Sequence, residues 1–520
     1  MAYMGNGATQ NNVKSPPDLI LVNFVHREAD GSINESPQLG LIYIAMVAKN
    51  AGYSVVIVAG DNVLSDILKL SFSSPPRLIG FYVNSDNVIE VKRVTTILKS
   101  ILPDTHTIAG GPVANVQGIE LVAGSWFDFA SRGDGEYLVV ELMDSLFSDN
   151  PSLSEIPGLI FKDITGKTVQ NNPRPLISDL DELPIPDRSL YPSDGPDIYS
   201  QLVTSRGCGF RCTFCFESTN RRFRAHSPQR VVDEMLYLKD KYGTSYFTFT
   251  DDIFTQNPER VRDICKLLMH HFRPHDNLFW YCEARVDQLA KNQDLIPLMK
   301  EAGLVRIQVG TESGSQEVID AYRKQITLEQ VCKVVEQCNK AGILSVHTNF
   351  IIGGALENLA SFEKTLRFAK DLLALAPGRF EATTTNLSPY PGTHIAIHPD
   401  VYKIRILDPS FSTGLSDDYI FAETDDLKKA EILALGEHFK IEFTKEMFNQ
   451  VPKLSSNLMY EHLRLNEYNL RTQWSEIFAS CPILSCWGQL LKGKNYQRDL
   501  VIDDIKQFEY IFPTRTFDLC

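Results

Sequence analysis

The sequence predicts an α/β protein: an N-terminal doubly wound, flavodoxin-like parallel sheet, then a partial (β/α)6 barrel of the TIM type, then a mostly helical C-terminal region. Three observations predict it. Short β-rich runs alternate with helical ones five times between residues 18 and 147, a Pro-rich stretch interrupts the pattern over 151–196, and the alternation restarts at Tyr199 for six further units. Repeated βα units of this length make parallel sheets, because each crossover helix returns the chain to the same end of the sheet.

Residues 1–17 are polar and lack the apolar core of a signal peptide, so they read as a disordered tail. Strands are then predicted at Asp18–Phe24, Tyr53–Ala59, Leu78–Val83, Thr105–Ala109 and Phe127–Ser131, with helices at Leu39–Asn50, Asn62–Leu70, Val88–Leu102 and Gly135–Phe147. These form one domain over 18–150. The segment 151–196 carries eight prolines and a hairpin (Leu159–Phe161, Thr168–Gln170), and reads as a linker. The barrel, 197–396, has strands at Ser200–Thr204, Tyr246–Thr250, Leu278–Glu283, Val305–Gly310, Ser345–Ile351 and Glu381–Asn386. Ser227-Pro228 and Asn257-Pro258 each put a cap before a proline at the first helical position, and Thr327 with Gln330 forms a capping box. Residues 397–520 read as a helical region that closes the barrel and shapes the substrate pocket.

The chain has 520 residues and a formal charge of −14, which argues against nucleic acid or an anionic membrane as its main partner. No apolar run approaches the roughly 20 residues that span a bilayer. A cytoplasmic protein is expected. Ten cysteines are unevenly spread: none precedes Cys208, and three fall within eight residues. A disulfide framework would pair and spread them, so metal binding in a reducing compartment is the better reading.

That cluster is SRGCGFRCTFCFE, Ser205–Glu217. Thiolates of Cys208, Cys212 and Cys215, spaced CxxxCxxC after the first barrel strand, suit three irons of a four-iron–four-sulfur cubane and leave the fourth open. A zinc site would need a fourth ligand from a second CxxC or a His pair, and none follows at suitable spacing.

Here the chain resembles the radical S-adenosylmethionine (SAM) superfamily over about residues 198–395. The resemblance implies a [4Fe-4S] cluster whose open iron binds SAM and delivers one electron. Cleavage then gives a 5′-deoxyadenosyl radical that takes a hydrogen atom from the substrate. It also implies an electron donor such as flavodoxin or ferredoxin. The residues it places around SAM are Phe214 before the last cysteine, Asp251 and Asp252 after the second strand, Arg285 after the third, and Glu312 and Ser313 after the fourth. Ile351–Gly354 and Pro389–Thr393 match as well and read as backbone-shaping.

The order sheet domain, Pro-rich linker, CxxxCxxC barrel resembles the cobalamin-binding class of that superfamily. The residues carrying this are Pro37, Leu39 and Gly40 within SPQLG, Gly110-Gly111-Pro112, and Arg132, Gly133, Asp134 and Glu136 within RGDGE, with Tyr82 and Asn84 at the third strand's end. By resemblance these would surround the corrin. Many relatives have a His after Gly-Gly-Pro; here it is Val113. A dinucleotide G-x-G-x-x-G is absent. A methylthiotransferase would need further cysteines upstream, and residues 1–207 contain none.

Asp104-Thr105-His106 before Gly110 imitates a cobalt-ligand motif but is one residue too long and opens the wrong strand, so His106 reads as structural. His26 follows the first strand, yet Phe24 stands where the motif's Asp belongs. Cys265, Cys332 and Cys338 read as small buried residues, Cys481 and Cys486 as core, and Cys520 as a free thiol. Trp474, Trp487, Tyr468 and Tyr496 are core or pocket lining.

The leading expectation is a cobalamin-dependent C-methyltransferase acting on a small molecule or peptide. One SAM would methylate cobalt and a second would generate the radical. Two alternatives stay open: a radical rearrangement, dehydration or cyclisation on the same architecture, and a non-catalytic cobalamin or metal-binding regulator.

Overall fold

Alternation of apolar runs with Gly, Pro and Asn punctuation produces one mixed, mostly parallel sheet and one parallel sheet, joined by an ion-paired seam. The computed structural model describes residues 16–480 apart from 25, 28–32, 35–36, 193–195, 217–221, 273–275, 409–419 and 469. The expected tail up to residue 15, most of the loop after the first strand, Ser36, Glu217, Cys481, Cys486, Trp487, Tyr496 and Cys520 lie outside the described residues, as does the side chain of His26.

The first sheet contains β1 (Leu19–Phe24), β2 (Val55–Gly60), β3 (Leu78–Tyr82), β4 (His106–Gly110), β5 (Phe129–Ser131), β6 (Leu159–Lys162) and β7 (Thr168–Gln170), in the order β2-β1-β3-β4-β5-β6-β7. Pairing is parallel through β5 and antiparallel from there to β7. The hairpin read as part of the linker therefore extends the sheet. Leu159, Ile160 and Phe161 are buried because they cover strand and helix side chains that β5 would otherwise expose. A helix that sequence reading missed, Pro112–Ala123, follows Gly110-Gly111. Gly111 caps it at φ +88°, and a Cβ there would stand 2.9 Å from the Tyr82 ring and 3.0 Å from the Val83 carbonyl. The glycine pair that looked like a loop is thus a strand-to-helix corner.

The second sheet holds β8 (Gln201–Leu202), β9 (Tyr246–Phe249), β10 (Phe279–Ala284), β11 (Leu304–Glu312), β12 (Ser345–Ile352) and β13 (Phe380–Asn386), in sequence order and parallel throughout. This is the open, six-stranded barrel. The capping residues act as predicted: Ser227, Asn257 and Thr327 each accept a backbone N–H of the following helix, and Gln330 completes its box. Cys265, Cys282 and Cys338 lie in the barrel core with Trp280, which stacks on Phe249 at 5.2 Å; Cys332 is half-buried against it. Trp474 is fully buried and donates to the Phe380 carbonyl, so it is core. Tyr468 packs edge-on against Phe279 at the other end of the strands. The long helix Lys429–Gln450 covers β13.

Arg188, fully buried, bolts the linker to the barrel. It bonds Glu234 at 2.7 Å and donates to the carbonyls of Pro186, Ile198 and Gln201. Among the described residues no helix is long and apolar enough to cross a membrane.

Candidate active site

The cysteine loop leaves the barrel just after β8. Its two ends, Ser205–Arg206 and Arg224–Ala225, pair antiparallel and close it into a lasso. Inside, the loop is tied down on several sides. Asp251, at the end of β9, accepts from the Thr204 amide at 2.6 Å, the Thr204 hydroxyl and the Ser205 hydroxyl at 2.7 Å. Asp252 accepts from the Gly207 amide at 3.1 Å, and Gln256 from that of Gly209 at 3.1 Å. Thr213 donates through its amide to the Tyr322 carbonyl at 3.0 Å and accepts from the Ile395 amide at 3.0 Å. The short helix His394–Ile397, capped by Thr393, thus touches the loop.

Cys208 and Cys212 are half-buried, and Cys215 opens on a cleft of about 310 Å³ bordered by Arg211, Arg323, Thr393 and His394. Among the described residues no three His, Cys, Asp or Glu side chains are grouped to ligate one metal ion. Thiolates of a cubane bind separate irons and stand farther apart than ligands of a single ion. The Cys208 thiol is raised by burial, with the Asp252 carboxylate and Cys212 adding. Iron would keep the three thiols ionised, because a coordinated thiol loses its proton.

Two cations sit against this group. Arg285 lies 3.8 Å from the Cys212 sulfur, stacks on Phe210 at 3.6 Å, pairs with Asp287 at 2.8 Å and donates to the Lys324 carbonyl. It is buried, 3% exposed, and not the surface arginine that its Asp287 pairing alone would suggest. Lys324, which sequence reading missed, is paired with Glu312 and lies 5.8 Å from the Phe214 ring; Phe214 packs edge-on against Tyr322 at 4.9 Å. A Cβ on Gly310 would meet the Lys324 nitrogen at 2.3 Å, so glycine there makes room for the pair. Glu312 holds φ +69°, a conformation unfavourable to glutamate that marks a constrained position. Ser313 is fully buried and bonds Thr365 and the Ser315 amide. Asp251 and Ser313 are bonded within the fold, Asp252 and Arg285 reach the cysteine loop, and Glu312 holds Lys324 beside Phe214.

The sheet domain meets the loop at the RGDGE corner. Asp134 binds Arg224 at 2.6 and 3.2 Å and accepts from the Ile177 amide at 3.0 Å. Arg206 binds Glu136 at 2.6 Å and Asp134 at 3.4 Å over the Tyr43 ring. Both carboxylates face the ends of the cysteine lasso. Arg132 is exposed; Gly133 donates to Asn115 at 2.8 Å. Leu39 is a buried core residue, Pro37 is buried and Gly40 exposed. Asn84 accepts from the amides of Asp86 and Asn87 and so organises the following helix. Tyr82 lies along Gly111, its hydroxyl pushed up to about 12 by burial. Between the start of the Pro112–Ala123 helix and the barrel is a cleft of about 240 Å³ walled by Val88, Pro112, Val113 and Val116 on one side and Phe216 and Tyr390 on the other. Its walls are mostly apolar and begin at the Gly110-Gly111 strand end. His106 opens β4 at the opposite end and packs on Phe129 at 5.5 Å, consistent with a structural role.

Comparison with known proteins agrees with this geometry. The radical SAM superfamily profile matches residues 202–369, and the B12 binding domain profile residues 33–143. The chain is 32% identical over 369 residues, 69% of its own length and 77% of the relative's, to an uncharacterized methyltransferase, PH0819, of Pyrococcus horikoshii. It is 26% identical over 350 residues to an anaerobic magnesium-protoporphyrin IX monomethyl ester cyclase of Rubrivivax gelatinosus, covering 64% of this chain and 62% of that one. In fold it matches the cobalamin-dependent SAM radical enzyme OxsB with aqua-cobalamin and SAM bound, at a TM-score of 0.66 and 16% identity, over 95% of this chain and 75% of that one.

Proposed function

The chain belongs to the radical SAM superfamily and carries a B12-binding domain ahead of its barrel, and from that premise we propose that it is a cobalamin-dependent radical SAM methyltransferase acting on a small molecule. The observation that carries the proposal is the seam: the strand ends of the B12-binding domain and the cysteine lasso face each other and are ion-paired through Asp134 and Glu136. Bound there, the cluster and SAM would supply a substrate radical and cobalamin the methyl group.

The chain's own residues do the positioning. Cys208, Cys212 and Cys215 would hold the cluster. Asp252 and the Lys324–Glu312 pair present charged groups to SAM, and Arg285 balances negative charge at Cys212. Tyr82, Gly110–Pro112 and Val113 would flank the corrin. The basic cleft beside Cys215, with Arg211 and Arg323, suits an acidic electron donor such as flavodoxin. A location in the cytoplasm fits oxygen-sensitive iron and free thiols.

Anaerobic reconstitution with cobalamin, followed by mass spectrometry of SAM products, tests the proposal. S-adenosylhomocysteine is expected together with 5′-deoxyadenosine. Deoxyadenosine alone would favour a cyclase-like reaction without methyl transfer.

A further inference from the structure

Barrel strands alternate sides, and one set of side chains is already committed to the core: Trp280, Cys282 and Ala284 of β10, Ile307 and Val309 of β11, Val346, Phe350 and Ile352 of β12. The intervening positions face the interior. Tyr281, Gln308, His347, Asn349, Thr383 and Thr385 among them are polar, and they are joined. The Tyr281 hydroxyl lies 3.1 Å from Gln308, and Gln308 is 2.9 Å from Nδ1 of His347. Nε2 of His347 is 3.0 Å from the Thr383 hydroxyl, which bonds Asn349 at 3.1 Å, and Asn349 donates to Thr385 at 2.9 Å. Four consecutive strands thus share one hydrogen-bonded lining. Burial holds His347 down to about 3, so it is neutral there; Arg306, a cation of the same face, stands over the Tyr281 ring at 5.8 Å and 3.7 Å from Glu381.

Glu283 stands at the upper end of this lining, toward the cysteines. Its bonded partner among the described residues is the Tyr281 hydroxyl at 3.3 Å. Lys324, a nearby ammonium acting on it, is already paired with Glu312. Burial pushes the Glu283 carboxyl up to about 7, and Asp252 and Glu312 push it further in that direction. A carboxylate so placed is stabilised by any cation delivered to it. Beside it the lining offers further polar groups, the Gln308 and Asn349 amides among them.

We infer that the barrel interior receives a small polar substrate that presents a protonated nitrogen, an ammonium or a guanidinium, to Glu283, with Gln308 and Asn349 reading the polar groups beside it. This rests on the methyltransferase reading, and two separate readouts keep the two apart. The reconstituted protein is supplied with cobalamin, SAM bearing a trideuterated methyl group, and a metabolite extract of the encoding organism. The extract is split into cationic, anionic, neutral and organic-solvent fractions. The cationic fraction should stimulate 5′-deoxyadenosine formation at least fivefold and receive the label. Stimulation by the cationic fraction without label would sink methyl transfer and leave the lumen assignment standing. Stimulation or labelling by the anionic, neutral or organic fraction instead, or no stimulation by any, would overturn the lumen assignment. With the compound in hand, Glu283→Gln should raise its KM at least tenfold with kcat changed less than threefold and SAM affinity within threefold. Gln308→Leu, farther from the cysteines, should move KM the same way. A Glu283→Gln protein with weakened SAM binding and unchanged KM would show that Glu283 serves SAM, and would refute the inference.

Discussion

Charge brought close to three thiols dominates the site at the scale of single residues. Replacing Cys212 by Ala should abolish 5′-deoxyadenosine production with little change in far-UV circular dichroism, because Cys212 lies on a loop and not in a core. Glu312→Ala should weaken SAM binding at least tenfold by calorimetry, since it leaves Lys324 without its partner in a buried site. Glu283 makes a pH prediction with a definite sign. Its carboxyl is raised by burial to about 7 from 4.5, so the protonated form is favoured in the fold. Stability from this group is complete below pH 4.5 and is lost as pH rises through about 7. Glu283→Gln should therefore match the parent in thermal stability near pH 4.5 and exceed it above pH 7. The gain expected is on the order of 1–3 kcal/mol. An equal stability difference at both pH values would contradict the assignment. Lys324 shows where sequence reading stops at this scale: it sits in RKQIT between two helices, in no motif, and reaches Glu312 because Gly310 lacks a side chain.

At the scale of elements the decisive contact is the seam between the RGDGE corner and the cysteine lasso. By resemblance that corner would hold a corrin; in the fold its two carboxylates grip Arg206 and Arg224. The Asp134 carboxyl is held below its usual range: burial raises it, but the Arg224 hydrogen bond and charge outweigh that. Its contribution is present above pH 3.8 and lost as pH falls further. Asp134→Asn strands Arg224, 2% exposed at its side chain, and should cost about 3–5 kcal/mol in chemical denaturation. It should also lower iron retained per chain after gel filtration. Full iron loading in that variant would show that the seam does not shape the lasso. Strands and caps were legible because their signals are local: Ser227, Asn257 and Thr327 cap the helices their Pro and Gln neighbours announce. The seam was not, since Asp134 and Arg224 are 90 residues apart and carry no spacing rule. The helix at Pro112 was hidden for another reason, the glycines before it being equally suited to a loop.

At the scale of the molecule, the B12-binding domain abuts the cysteine lasso across one apolar cleft, with Tyr390 and Phe216 on the barrel side and Pro112 and Val113 on the other. The order of domains was readable from the interrupted βα alternation, and the cysteine spacing gave the chemistry. Cobalamin is the part of the account that rests most on this arrangement, and its lower face distinguishes readings. The loop Val25–Ser32 lacks the Asp-x-His spacing that would orient an imidazole, and His106 lies at the wrong end of β4. The most direct measurement is therefore electron paramagnetic resonance of the protein loaded with cobalamin, freed of excess by gel filtration and reduced to the cob(II)alamin state. The account predicts close to one cobalamin per chain and a spectrum without nitrogen superhyperfine splitting from an axial ligand. A chain that retains no cobalamin, or one whose spectrum shows that splitting, would contradict it.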